Sequence, residues 1–348
     1  MMNPASSWIS LLLTAALSAQ TAQTARLPTG SFPAGEDNLP LASSPVRYQQ
    51  WWAGSELQAT LQFPARIRAM AFLAGNVLQP GSSVDIEIRM AHFGTGLPSV
   101  TFDNNLQVDN TLVLPRGVVT LVAQPRADTR VVTFNFAREF IWDGSSGIVF
   151  DLKVFGNGNN NQAYLYPCRT TVSSPGKTMR LFAPGNPSSL QRATLSQNGI
   201  GLVTEFDYAY GITSPYGAGC PGANALVPVA GTTGGNPTPP NPNWTQTLSN
   251  AAAGTSAVLL LGTSRTRFGA VTLPFDLGII GYSGCSLLAE PLVMLGTSTT
   301  LAGSASIPVP IPGVRLRPRS LFSQWFVLDT QAPNGALSGS QGLWHVFD

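Results

Sequence analysis

VDIEIRMAHF, residues 84–93, sets Val84, Ile86, Ile88 and Met90 against Asp85, Glu87 and Arg89. A period of two sends the apolar set to one face of an extended strand and the charged set to the other. One buried face and one wet face mark an antiparallel sheet; parallel strands, covered on both sides, read as unbroken apolar runs. FNFAREF (residues 134–140) repeats the alternation with Phe134, Phe136 and Phe140.

Working outward, RIRAMAFLAG (66–75), VVTFNFAREF (131–140), GIVFDLKVFG (147–156) and LVTEFDYAYG (202–211) read as further strands. Turn-forming clusters lie between strands: QPGSS at 79–83, WDGSSG at 142–147 and FGNGNNNQ at 155–162. No window carries a long helical period. The expected class is all-β, with an N-terminal β-sandwich or jelly-roll domain over residues 31–212. Residues 213–243 then turn rich in Gly, Pro and Asn, a composition shift suited to a boundary. They lead into a smaller, sandwich-like β unit that completes a second domain, residues 213–348.

Composition agrees. Of 348 residues only 10% are charged, against about 25% in ordinary soluble domains. With 35 Gly and 28 Pro, the chain favours short strands and frequent turns over helices. A net charge of +2 is too small to steer the protein to nucleic acid or an anionic membrane.

Residues 8–19 form an apolar run of signal-peptide length, followed by small residues. Residues 1–19 are therefore expected to be a signal peptide, although no Lys or Arg precedes the run. No later segment approaches the roughly 20 apolar residues of a transmembrane helix. The expected location is secreted, extracellular or associated with the cell envelope.

An exported chain can hold disulfides. Cys220 (GAGCPG) and Cys285 (GYSGCSL) both sit in glycine-flanked turns, where two backbones can approach closely enough for a bridge. We expect these two to pair, although three cysteines allow three single pairings. Cys168 is left as a buried thiol or an intermolecular bridge.

Candidate chemistry is sparse. GYSGC has Cys285 where a nucleophile elbow needs Gly. Two histidines, His92 and His345, are too few for a transition-metal centre. Calcium needs only oxygen ligands, and Asp103, Asp109, Asp143 and Asp151 are its candidates; Asx turns explain the same residues. Asp85 and Glu87 share a strand face about 7 Å apart, a spacing that suits a glycoside hydrolase. Arg89 on the same face reads more simply as charge alternation. Trp51, Trp52, Trp142, Tyr164 and Tyr166 are candidate platforms for stacking a sugar. Neighbouring Trp51 and Trp52 point to opposite faces of a strand, so at most one is exposed. Tyr164 and Tyr166 share a face and follow an Asn-rich loop that could supply amide hydrogen bonds. Core packing competes with every one of these assignments.

RYQQWW (47–52), IRAMAFLAG (67–75), VDIEIRMAHF, TFDNNLQVDNTLV (101–113) and FNFAREFIWDGSSGIVFDLKVFG (134–156) follow one another in a characteristic order. YGAGCPG (216–222), LPFDLGIIGYSGCSL (273–287), IPVPIPGV (307–314) and SLFSQWFVLDTQAPNGALSGSQGL (320–343) continue it. In these segments the chain resembles a group of secreted, uncharacterised two-domain β-sandwich proteins of planctomycete-type bacteria. The resemblance implies secretion, the β architecture and the two C-terminal cysteines. It brings no activity with it.

The expected function is that of an extracellular structural or adhesive protein. A carbohydrate-binding, lectin-like protein is the alternative, and a glycoside hydrolase the third. Expected partners are extracellular polysaccharide or cell-envelope components.

Overall fold

The computed structural model describes residues 23–29, 34–42, 45–75, 81–94, 96–106, 109–123, 126–162, 168–314 and 320–348. The expected signal peptide, Tyr164 and Tyr166 lie outside these residues.

The chain is all-β, and every strand pairing is antiparallel. The alternating stretch VDIEIRMAHF lies in the strand Ser82–Phe93. It lies in a six-stranded sheet ordered Leu195–Asn198, Thr178–Pro184, Val46–Trp52, Gly147–Asn157, Ser82–Phe93, Thr111–Leu121. A four-stranded sheet, ordered Gln23–Leu27, Thr204–Ala209, Ala65–Leu73, Arg130–Trp142, packs on its inner face. Val84, Ile86, Ile88 and Met90 all point into the core between the two. Phe150 from the larger sheet meets Phe72 from the smaller at 6.1 Å between ring centres, and Phe72 meets Phe134 edge-on at 5.9 Å. This is sheet-on-sheet packing with interdigitated inner faces. A small sheet of Ile200–Leu202, Cys168–Val172 and Ala34–Asp37 flanks it, with Cys168 buried as a free thiol.

Two features differ from the sequence reading. The four-stranded sheet already begins at Gln23, pairing with Tyr208, ahead of residue 31, the expected start of the N-terminal unit. Residues Gly54–Leu61 form an α-helix. Its two buried positions, Leu57 and Leu61, are one i, i+4 pair, too short a signal to show a helical period.

The strands after residue 211 build separate sheets. One runs Ile212–Tyr216, Gly342–Val346, Ser320–Leu328, Ser256–Gly262, Val293–Ser298, with Leu337–Gly339 also on Ser320–Leu328. The other runs Val229–Thr233, Thr245–Ser249, Ala305–Pro308. Leu248, Leu259, Trp325 and Leu343 are buried between them. On the outer face of the larger sheet, Cys220 and Cys285 form a disulfide packed against Leu260, Leu277 and Phe326. The two strand groups share apolar contacts: Tyr210, Ile212 and Val346 belong to the first core. Tyr210 donates its hydroxyl to the Leu61 carbonyl, and Arg66 donates to the Tyr210 carbonyl at 3.1 and 3.2 Å.

Candidate functional site

The outer face of the first sheet holds most of the residues with chemical potential. The period of two sends Asp85, Glu87, Asp151, Lys153, Arg47, Gln49 and Trp51 to that face. The charged alternation suggested a wet surface. Instead, Phe102, Leu106 and Leu190 fold back over it and make a second apolar cluster with Trp51, Val149, Met179 and Leu181. All seven residues of Val46–Trp52 are therefore buried.

Under that cover Arg47 donates to both carboxylate oxygens of Asp151, at 3.0 and 2.9 Å, to Asp103 at 2.6 Å and to the Leu190 carbonyl at 2.8 Å. Its guanidinium lies 4.7 Å from the centre of the Phe102 ring. Burial works against the charge on Arg47, but the hydrogen bonds and charges of Asp151 and Asp103 outweigh it and hold the arginine above its ordinary value. Asn105 joins the site by donating to Gln49 at 2.9 Å, and Gln49 donates to the Phe102 carbonyl at 3.0 Å. The arrangement pins the covering segment to the sheet.

Asp109 and Asp143 converge on His92. Asp109 lies 2.6 Å from Nδ1 and accepts the His92 backbone N–H at 2.7 Å. Nε2 accepts the backbone N–H of Asp143 at 3.2 Å. Nε2 is thus the unprotonated nitrogen and Nδ1 donates to Asp109. A carboxylate–histidine pair is half of a proton relay, but the nitrogen that would face a substrate is already occupied. Asp143 in turn accepts from the Ser145 and Ser146 backbones, each at 2.8 Å, and from the Ser146 hydroxyl at 2.6 Å. Burial raises this carboxyl; the Ser146 and Ser145 hydrogen bonds and the nearby imidazole more than reverse that, so it sits below its ordinary value. The four calcium candidates are therefore split between an arginine and a histidine. Among the described residues no group of three or more His, Cys, Asp or Glu side chains could hold a metal.

The hydrolase pair is also engaged. Arg116 grips Asp85 at 2.6 and 3.1 Å and lies 3.9 Å from the centre of the Phe155 ring. Glu87 accepts from Arg89 at 3.0 Å, with Lys153 at 3.8 Å. The amides of the Asn-rich loop serve the loop itself: Asn161 accepts from the Asn157 N–H at 2.9 Å, and Asn157 donates to the Gln162 carbonyl at 3.1 Å.

Of the described tryptophans proposed as platforms, Trp52 and Trp142 are fully buried in the main core, which leaves neither ring a face for a sugar. Trp142 donates its indole N–H to the Ser146 carbonyl at 2.8 Å. Trp51, 5% exposed, forms part of the wall of an open groove of about 590 Å³. Ser55, Ser145 and Ser146 line it, with the Ser146 hydroxyl given to Asp143 and the Ser55 hydroxyl accepting from Lys177 at 3.2 Å, and Gly54, Gly94, Gly96 and Gly147 keep it open. The Trp51 indole N–H is buried without a protein partner. Gly147 is required here because a Cβ would stand 2.7 Å from Trp51 Nε1 and 2.8 Å from the Trp52 carbonyl. The sequence marks Trp51 but not the serines, which come from a distant turn and the helix start.

No family model matches the chain, and no curated protein matches it. Among solved structures it is similar to one titled "Cryo-EM structure of T=3 Penaeus vannamei nodavirus", at 12% identity over 99% of this chain and 97% of that one. The TM-score is 0.15, a level of likeness that bears on neither fold nor function.

Proposed function

We propose that this chain is a secreted extracellular structural or adhesive protein of the planctomycete-type group it resembles, made of two β units, residues 31–212 with its leading strand and residues 213–348. The observation that carries this reading is the Cys220–Cys285 disulfide, since such bonds form and persist in oxidising compartments. The use of charge supports it: Arg47, Arg116, Arg130 and Arg169 bind carboxylates across strands and loops, which stiffens a scaffold. Cell-envelope components are the proposed partners. The test is fractionation of producing cells. Retention with the envelope or matrix is expected; recovery of the protein free in the medium overturns the reading.

The groove beside Trp51 favours carbohydrate binding as a second reading. A polyol could use the Ser55 and Ser145 hydroxyls along the groove. Pull-down on a panel of soluble and insoluble polysaccharides, with calcium and with chelator, tests it. Retention that drops in the Ser55→Ala, Ser145→Ala double variant supports the groove. Retention that drops only in the Tyr164→Ala, Tyr166→Ala double variant moves the site to those tyrosines. No retention on any glycan removes the second reading.

A further inference from the structure

An edge strand exposes unpaired N–H and C=O groups, and natural proteins block such edges with charge, proline, bulges, short length or a cover. Most sheet edges here are blocked in one of these ways. Thr111–Leu121 carries Pro115, Arg116 and shifts in register. Arg130–Trp142 and Gln23–Leu27 carry arginines. Ile212–Tyr216 carries Pro215. Val229–Thr233 is covered by the Gln341 side chain, which accepts the Ala230 N–H at 3.2 Å and donates to the Ala230 carbonyl at 3.0 Å.

The strand Val293–Ser298 (VMLGTS) has none of these devices. It is the edge of the C-terminal six-stranded sheet and, among the described residues, pairs only with Ser256–Gly262. Thr299, just beyond it, donates its N–H to the Thr255 carbonyl at 2.8 Å. Backbone direction alternates along an antiparallel ladder. Val293, Leu295 and Thr297 therefore face Ser256–Gly262, while Met294, Gly296 and Ser298 turn their N–H and C=O outward. Among the described residues nothing bonds that outer side. Leu292, Val293 and Met294 are exposed, and the space around Gly296 is open. From residue 291 to 314 the sequence has no charged side chain.

We propose that two copies of this chain pair through Val293–Ser298, antiparallel about a twofold axis at Gly296, making one sheet across the dimer. The outward residues are evenly spaced around Gly296. A copy in this register sets Gly296 opposite Gly296 and Met294 opposite Ser298, giving about six backbone hydrogen bonds. A twofold contact must be self-complementary. An edge without charge meets that condition because it neither repels itself nor selects an oppositely charged strand. The proposal is independent of where the protein resides and of any glycan it binds.

Sedimentation velocity of the full chain, disulfide intact, from about 1 to 100 µM tests it, because a dimer's population depends on concentration. Gly296→Pro removes one outward N–H at an edge position where proline is tolerated. Met294→Lys places a charge on a side chain that is 66% exposed. The unmodified chain should pass from monomer to dimer across the series. Each variant should raise the dissociation constant at least tenfold with an unchanged far-ultraviolet circular dichroism spectrum. If Gly296→Pro disturbs the fold, Met294→Lys decides alone. Monomer throughout, or a dimer that both folded variants leave unchanged, overturns the proposal.

Discussion

Arg47 and Asp151 form a two-pronged ion pair beneath the segment that covers the first sheet, with both side chains almost wholly buried. Removing Asp151 leaves the buried Arg47 charge with only the exposed Asp103 carboxylate and the Leu190 carbonyl to meet it. Asp151→Ala should therefore lower unfolding free energy by about 3–5 kcal/mol. Replacing both with apolar residues, as in Arg47→Met with Asp151→Leu, should cost much less. Urea unfolding of the three variants checks this. A double variant as unstable as Asp151→Ala would show that the charges do more than satisfy each other.

The disulfide closes a loop with a sequence separation of 65. In the chain-entropy account, joining ends that far apart removes about 4 kcal/mol of unfolded-state freedom. The Cys220→Ser, Cys285→Ser double variant should lose stability of that order. Thiol titration of the unmodified chain should find no reactive group when folded and one after denaturation, that of Cys168. Burial pushes its thiol well above the ordinary value and keeps it unreactive.

Gly147→Ala should destabilise by about 1–3 kcal/mol, because the added methyl meets both the Trp51 ring and the Trp52 backbone. Trp51 fluorescence should also shift as its ring is displaced. Equal stability would mean that the strand has room the structure does not show.

His345 is buried, with Thr213 at 2.9 Å from Nδ1 and Ser323 at 2.8 Å from Nε2. Burial lowers it from 6.5 to about 3. Below pH 6.5 the unfolded chain takes up a proton that the folded chain refuses until about pH 3. Stability should thus fall with falling pH across that window, by about 1 kcal/mol per unit from this residue, with no contribution from it above the window. The chain has two histidines, so a tag-free proton NMR titration separates them; the His345 signal should not move between pH 8 and 4. His345→Gln should flatten the acid limb of the stability curve.

The strands were legible where burial alternates. Val84 to Met90 are enclosed by one core, so the two-residue period survives in the sequence. The cysteine pair was legible because glycines on both sides mark close backbone approach. What covers the first sheet was not legible. Phe102 and Leu190 reach it from far along the chain, and nothing in the charged alternation around Asp85 announces a lid over Trp51 and Asp151. The same limit hid the role of His92. Its partners Asp109 and Asp143 lie 17 and 51 residues away, and Asp143 contributes a backbone N–H that no residue type signals. The four aspartates looked like oxygen ligands in the sequence because composition does not reveal which cation they meet. In the fold those cations and donors belong to the protein.

The pairing of Gln23–Leu27 with Thr204–Ala209 has a consequence for the order of synthesis. A chain made from its N-terminus cannot complete the four-stranded sheet until residue 209 has emerged. The C-terminal six-stranded sheet waits longer, because Gly342–Val346 lies between Ile212–Tyr216 and Ser320–Leu328. Contacts so distant in sequence form slowly. Most of the polypeptide therefore leaves the ribosome before either group of sheets can close.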